Sequence, residues 1–360
     1  MPLLARTVNT PLAIEVRRGA VAEIGAILAD RRISAGGDVA VVVGPGQGER
    51  IAELIKPGLG RADVFRVAGG TLDAATELGD QLRKRSYDAV VGIGGGKTID
   101  TAKYAASRYG IPMVSVATSL ANDGIASPVS SLDHDGGRGS YGVHIPLAVV
   151  VDLDFVEDGP DEQTKAGIGD AVSNLNAVAD WQLAHEVRAE PLDGLAVTLA
   201  RGGAEAVLNH PGTIADDDFL TVLAEALIMG GIAMSVCGSS RPCSGGCHEI
   251  SHAIDTMHPG TSSHGAQVGV GALVCTFLRQ DTARFRQLAG CLARHGLPRS
   301  PGDLGLTDEE FTAVLLRAPD TRPDRYTILE HLAMGPDEVR ERLADYAGAL
   351  ASLDRADAGR

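Results

Sequence analysis

Hydrophobic and polar positions follow two different rhythms along this chain. Up to about residue 155, short runs rich in β-branched residues alternate with segments whose apolar positions recur every three or four residues. DVAVVV (38–43) is a continuous apolar run closed by Gly44-Pro45, which predicts a buried strand ending at a turn. Residues 48–59 (GERIAELIKPGL) then read as an amphipathic helix. ADVFRVAGG (62–70) predicts a second strand, and TLDAATELGDQLRKR (71–85) a helix with Thr71 as its N-cap. YDAVVGIGGG (87–96), KTIDTAKYAASRYG (97–110) and IPMVSVATSL (111–120) continue as strand, helix and strand. Four strands with intervening helices predict a parallel sheet covered on both faces, in the Rossmann-like manner.

From about residue 156 the strand pattern fades. Long Ala- and Leu-rich segments replace it, at 161–187, 216–237, 264–296 and 307–320. The expected architecture is therefore an α/β Rossmann-like N-terminal domain (1–155) and an all-α C-terminal domain (156–360), with the ligand cleft between them. The polar tail ASLDRADAGR is expected to fray.

Charge narrows the choice of partners. A formal net charge of −15 gives no general field to attract nucleic acid or an anionic membrane, so an anionic substrate needs a local cluster of donors. An aromatic content of 4% also disfavours a base-stacking surface. The longest apolar segments, around IPLAVVV and LIMGGIAM, are read as shorter than the roughly 18 residues of a spanning helix. MPLLARTVNTPLAIEVRR lacks the continuous apolar core of an export signal, so a cytoplasmic location is expected, with the five cysteines as free thiols.

Three clusters carry candidate chemistry. Gly94, Gly95, Gly96, Lys97 and Thr98 follow a strand and open a helix, where backbone N–H groups and the helix dipole suit a phosphate. The spacing matches neither G-x-G-x-x-G nor a P-loop, which makes it a variant pyrophosphate site or simply a flexible turn. Thr118-Ser119-Leu120-Ala121-Asn122-Asp123-Gly124 lies at the carboxyl end of the next strand, the ligand edge of a parallel sheet, and reads equally as an Asx-type turn. Asp170, His248 and His264 offer one carboxylate and two imidazoles, a donor set for a catalytic divalent metal with an open position, Zn²⁺ fitting best. His252 sits one helical turn from His248. Cys243 and Cys247 are alternative thiolate ligands, although a lone pair is incomplete for a closed site.

Five stretches together resemble the sn-glycerol-1-phosphate dehydrogenases: the segment from GGGKTIDTAK to DGIASP, then GDAVSNLNAVADWQL, SSRPCSGGCHEISHAID, HGAQVGVG and RPDRYTILEH. That family sits in the superfamily of iron-dependent alcohol dehydrogenases, glycerol dehydrogenase and dehydroquinate synthase. The resemblance runs from about residue 38 to 335. It implies that Gly94 to Thr98, with Asp100, bind the pyrophosphate side of NAD(H) or NADP(H). Thr118, Ser119, Ala121 and Ser127 would line the rest of the cofactor site. It implies Zn²⁺, one per subunit and replaceable by another divalent metal, on Asp170, His248 and His264. Asp123 would hold a substrate hydroxyl, Asp170 would also lie near the substrate, and His252 would contact it and pass protons. The implied reaction is reduction of dihydroxyacetone phosphate to sn-glycerol 1-phosphate in a homo-oligomer.

Two positions depart from the pattern: Asn122 stands where relatives commonly carry His, and Cys247 where they commonly carry an acid. Arg241 in SSRP is the nearest cation to the metal segment and a candidate for the substrate phosphate, or else a structural arginine. Arg50 or Arg66 would accommodate a 2′-phosphate, which leaves NADH and NADPH both open. Competing readings are a related polyol dehydrogenase, an NAD-recycling sugar-phosphate cyclase (for which too few cations stand near the metal residues) and a non-catalytic sensor on the same fold.

Overall fold

DVAVVV forms β2 (Val39–Val43), buried at every position, because each side chain meets a helix on one face of the sheet or the other. In this computed structural model, which describes residues 8–135 and 137–358, β2 belongs to a six-stranded, wholly parallel sheet. The other strands are β1 (Ala13–Arg17), β3 (Ala62–Arg66), β4 (Ala89–Gly94), β5 (Met113–Ala117) and, after the hairpin β6 (Val129–His134) and β7 (Gly137–Gly142), β8 (Ala148–Asp152). The order is β1-β8-β5-β4-β2-β3. Between them run α1 (Ile24–Leu28), α2 (Gly48–Ile55), α3 (Leu72–Arg83) and α4 (Gly96–Ser107), with α5 (Leu153–Glu157) after the last strand. Thr71 caps α3, accepting from the Ala74 amide at 3.2 Å.

The chain proceeds from β2 to β3 on one side and returns to β4 on the other. The carboxyl ends of β2 and β4 therefore flank a switch point, the place where doubly wound sheets open a crevice for ligands. Two strands exceed the four expected. β1 is a half-exposed edge strand with charged residues at alternate positions, so it lacks a long apolar run.

The second half is helical: α6 (Asp161–Arg188), α7 (Gly194–Asn209), α8 (Asp217–Cys237), α9 (Gly246–Met257), α10 (His264–Leu278), α11 (Thr282–Arg294), α12 (Asp308–Arg317), α13 (Ile328–Leu332) and α14 (Pro336–Ala358). The run expected as one segment at 264–296 is two helices, broken where Gln280 takes a left-handed φ of 62°. The C-terminal tail stays helical to Ala358 instead of fraying from residue 351.

By contacts the chain forms two units, residues up to 164 with 215–238, and 165–214 with 239 onward. The division differs from a boundary at 155 mainly through α8, which packs against β1 and the turn at Asp123–Ile125 in the sheet unit. α8 also corrects the reading of its apolar segment as too short to span. With 21 residues it is long and apolar enough to cross a membrane by composition. Its side chains from Phe219 to Val236 are largely buried, and the helix belongs to the sheet unit.

Candidate active site

The helical unit brings Asp170, His248 and His264 together. Their ligand atoms all lie within 4.8 Å of one another, and the two Nε2 atoms stand 4.0 Å and 3.5 Å from Asp170 Oδ1. Donors around a small divalent cation are roughly 3.3 Å apart at bond lengths near 2.1 Å, so modest tightening would close the set on a metal. Asp170 comes from the middle of α6, His248 from the first turn of α9 and His264 from the first residue of α10. Glycines set the approach of α6 and α10. A Cβ on Gly169 would lie 2.1 Å from the Gly265 carbonyl oxygen, and one on Gly265 would lie 1.8 Å from that of Ala166. Only bare backbone lets the helices cross this closely, and each glycine adjoins a ligand.

The His264 imidazole is held in one tautomer by the partner of its other nitrogen. The Gln267 side-chain amide donates to Asp255 Oδ1 at 3.1 Å and to the Ser262 carbonyl at 3.3 Å, which turns Oε1 toward Ser251. Ser251 then donates to Oε1 at 2.6 Å, leaving its oxygen to accept from His264 Nδ1 at 3.1 Å. The proton on Nδ1 leaves the Nε2 lone pair facing Asp170. His248 has its Nδ1 3.4 Å from Cys247 Sγ, a weaker acceptor. Burial first, then His264 and His252, holds His248 well below the ordinary imidazole range, so it stays neutral and competent to ligate. Ser251→Ala is expected to lower divalent-metal affinity about 10- to 100-fold. Competition with a chromophoric chelator measures this, and unchanged affinity would mean that His264 needs no such brace.

Among the described residues neither Cys247 nor Cys243 joins the donor cluster, and burial pushes the Cys247 thiol up to about 12.

In the sheet unit, the glycine run sits where β4 turns into α4. Gly94 has φ 155°, and a Cβ there would meet Thr98 at 2.8 Å, so the turn is closed to other residues. α4 begins without a side-chain cap, its first amides unsatisfied by any neighbouring side chain. The strand after it delivers the 118–124 segment alongside: the Thr118 amide donates to the Gly94 carbonyl at 3.1 Å. A Cβ on Gly95 would lie 3.3 Å from Ser119 Oγ, and one on Gly96 3.5 Å from the Asn122 amide nitrogen. The Ser119 hydroxyl is buried with no hydrogen-bond partner among the described residues. A bare helix start beside an orphaned hydroxyl fits an incoming phosphorylated cofactor. Gly69 and Gly70, after β3, come against Lys97 and Thr98 at the same helix start. Their part in shaping this loop was not read from the sequence, although the GG pair after a strand was a usable signal.

Other expected residues have structural duties. Asn122 accepts from the Gly124 amide at 2.9 Å and caps the turn that carries Asp123. Asp100 pairs with Lys103 at 2.9 Å and accepts from the Ser131 amide. Ser127 is buried and donates to the Val129 carbonyl at 3.2 Å. Both therefore stand in an internal network around Lys103. Arg241 pairs with Glu190, with Nε 2.6 Å from Oε1 and a second contact through a terminal nitrogen, while its Nη1 is buried with no hydrogen-bond partner among the described residues.

A parallel sheet with a glycine-opened helix, and a helical unit holding two imidazoles and a carboxylate, define the class of metal-dependent alcohol dehydrogenases. The family model for iron-containing alcohol dehydrogenase matches residues 15–160. The glycerol-1-phosphate dehydrogenase [NAD(P)+] of Hyperthermus butylicus is 34% identical over 349 residues, 95% of this chain and 99% of that protein. That of Methanospirillum hungatei JF-1 is 32% identical over 332 residues, 91% of this chain and 90% of that protein. The chain belongs to the glycerol-1-phosphate dehydrogenase family. The fold is shared with a probable glycerol dehydrogenase from Sinorhizobium meliloti 1021, at TM-score 0.79 and 23% identity over 97% of this chain and 100% of that one. Glycerol dehydrogenase from Schizosaccharomyces pombe gives 0.78 and 22%, over 98% and 93%.

Proposed function

We propose that this protein is a zinc-dependent NAD(P)H oxidoreductase that reduces dihydroxyacetone phosphate to sn-glycerol 1-phosphate and runs the reverse reaction. The convergence of Asp170, His248 and His264 carries this reading, since two neutral imidazoles and one carboxylate are borderline donors suited to Zn²⁺. Bound there, the metal would supply Lewis acidity toward a carbonyl oxygen, and the dihydronicotinamide a hydride for the carbonyl carbon.

The chain's own residues do the rest. The amides of Gly95, Gly96 and Lys97 at the start of α4 receive the cofactor's pyrophosphate, and Thr98 packs beneath them. Ser119 gives its unpartnered hydroxyl to the same cofactor, and Thr118 and Ala121 flank it. Asp123 accepts a hydrogen bond from a substrate hydroxyl. His252, one turn from His248 on α9, is the group through which a proton reaches or leaves the substrate oxygen. The family relationship of the first unit and the intact donor set of the second support this assignment together.

The test is reduced-nicotinamide oxidation with dihydroxyacetone phosphate, before and after chelation and with zinc restored. Activity lost with the metal and recovered with Zn²⁺ is the expected result. Oxidation unaffected by complete metal removal, or none with a fully loaded enzyme, would overturn the proposal.

A further inference from the structure

Two guanidinium groups stand beside the metal-ligand cluster without a carboxylate to neutralise them. Arg322 donates to His252 Nε2 at 3.0 Å and forms no ion pair among the described residues. Its other N–H groups make no hydrogen bond among the described residues. Arg325 donates to the Ser244 carbonyl at 2.8 Å and to Ser240 Oγ at 2.6 Å, also with no ion pair among the described residues. Both are only partly exposed and both act electrostatically on His248. The third cation nearby, Arg241, has Glu190 as its partner. Glu249, a carboxyl that acts on both, accepts from Thr327 Oγ1 at 3.0 Å and forms no ion pair with either among the described residues.

Half-buried positive charge without a counter-ion is costly, because lost hydration is not replaced. Burial holds Arg322 below its usual value, and burial with repulsion from Arg322 and Arg241 pulls Arg325 down to about 10. Both stand in a chain whose overall charge of −15 repels anions. The two differ in freedom. Arg325 is spent on the 240–244 loop that leads into α9, whereas Arg322 keeps an uncommitted face.

We propose that Arg322 binds the phosphate of the substrate, with Arg325 adding positive field behind it. This rests on the reading of the site as a reductase for a phosphorylated ketone. A planar guanidinium matches two phosphate oxygens at once. Arg322 contacts His252, which stands one helical turn (about 5.4 Å) along α9 from His248, a span on the scale of a three-carbon phosphate. Arg241, the residue favoured by position along the chain, already has its charge paired with Glu190, although its Nη1 is buried without a hydrogen-bond partner among the described residues.

The experiment compares the wild-type enzyme with Arg322→Gln and Arg322→Lys. It reads kcat/KM for dihydroxyacetone phosphate relative to dihydroxyacetone, metal content, and binding of inorganic phosphate by calorimetry. The preference for the phosphorylated substrate is expected to fall roughly 100-fold or more in Arg322→Gln, mainly through KM. Arg322→Lys should recover part of it, and phosphate binding should weaken in the same order. Equal losses on both substrates through kcat would overturn the proposal and make Arg322 a positioning residue for His252. Undiminished phosphate binding in Arg322→Gln would overturn it as well. If the wild type reduced neither ketone yet bound phosphate through Arg322, the reaction assignment would fall while the anion site stood.

Discussion

Asp170→Asn is expected to release the divalent metal and to lower kcat/KM by about four orders of magnitude. The substitution keeps the shape of the side chain and removes only its charge. That charge is the anionic member of the donor set, since both imidazoles are neutral ligands. Asn also presents an NH₂ group that, turned inward, would point its protons at the cation. The side chain is buried, so solvent cannot make up the lost donor. The fall in rate corresponds to about 5 kcal/mol of transition-state stabilisation, the scale on which a Lewis acid acts at a carbonyl. Metal content after dialysis, by plasma mass spectrometry, and steady-state kinetics measure the two halves. NAD(P)H affinity should persist, because the glycine loop belongs to the other unit and none of its residues changes. A metal-free Asp170→Asn protein with wild-type turnover would remove the metal from the reaction.

The donor set could be found in the sequence because its residue types are rare and chemically marked. Histidines at 248, 252 and 264 stand out among ten in 360 residues. The chain that orients His264 could not. Ser251, Gln267 and Asp255 are common polar residues, and a hydrogen bond between Ser251 and Gln267, sixteen residues apart, leaves no period to read. Arg322 illustrates another gap. It lies in RPDRYTIL, a stretch that the family resemblance already marks, yet Arg241 is nearer along the chain to the metal histidines. Only the structure shows which of the two is occupied by a carboxylate.

The fold divides in a similar way. β2, β4 and β5 are buried on both faces and announce themselves as unbroken apolar runs. The edge strand β1 does not, and β8 follows its hairpin as a short apolar stretch with no strand–helix alternation around it. α8 was recognisable as a helix, but periodicity says nothing about which core a helix joins. Its return to the sheet unit is a tertiary choice.

Lys103→Met is expected to be the most destabilising single change in the sheet unit, at about 3–5 kcal/mol. A lysine on an amphipathic helix ordinarily points to water, yet the Lys103 side chain is fully buried. Its ammonium donates to the carbonyls of Gly124 at 2.7 Å and Val129 at 2.5 Å, reaches Ser127 O at 3.2 Å, and pairs with Asp100 at 2.9 Å. One positive group thus ties α4 to the segment that carries Asp123 and Ser127. Burial pushes the Asp100 carboxyl upward, and Lys103 pulls it back. Methionine fills the space but takes the ion pair from Asp100, which keeps only the Ser131 amide, and the ammonium from the Gly124 and Ser127 carbonyls, while the Val129 carbonyl keeps the Ser127 hydroxyl. Adding Asp100→Asn should therefore restore part of the stability, because no unpaired charge remains, so the two substitutions will be strongly non-additive. Urea unfolding of both single variants and the double variant measures this. Simple additivity, or a loss below about 1 kcal/mol in Lys103→Met, would show that the carbonyls and Asp100 are satisfied by water rather than by the ammonium. A loss of cofactor affinity alongside stability would further tie the buried lysine to the placement of the 118–127 segment.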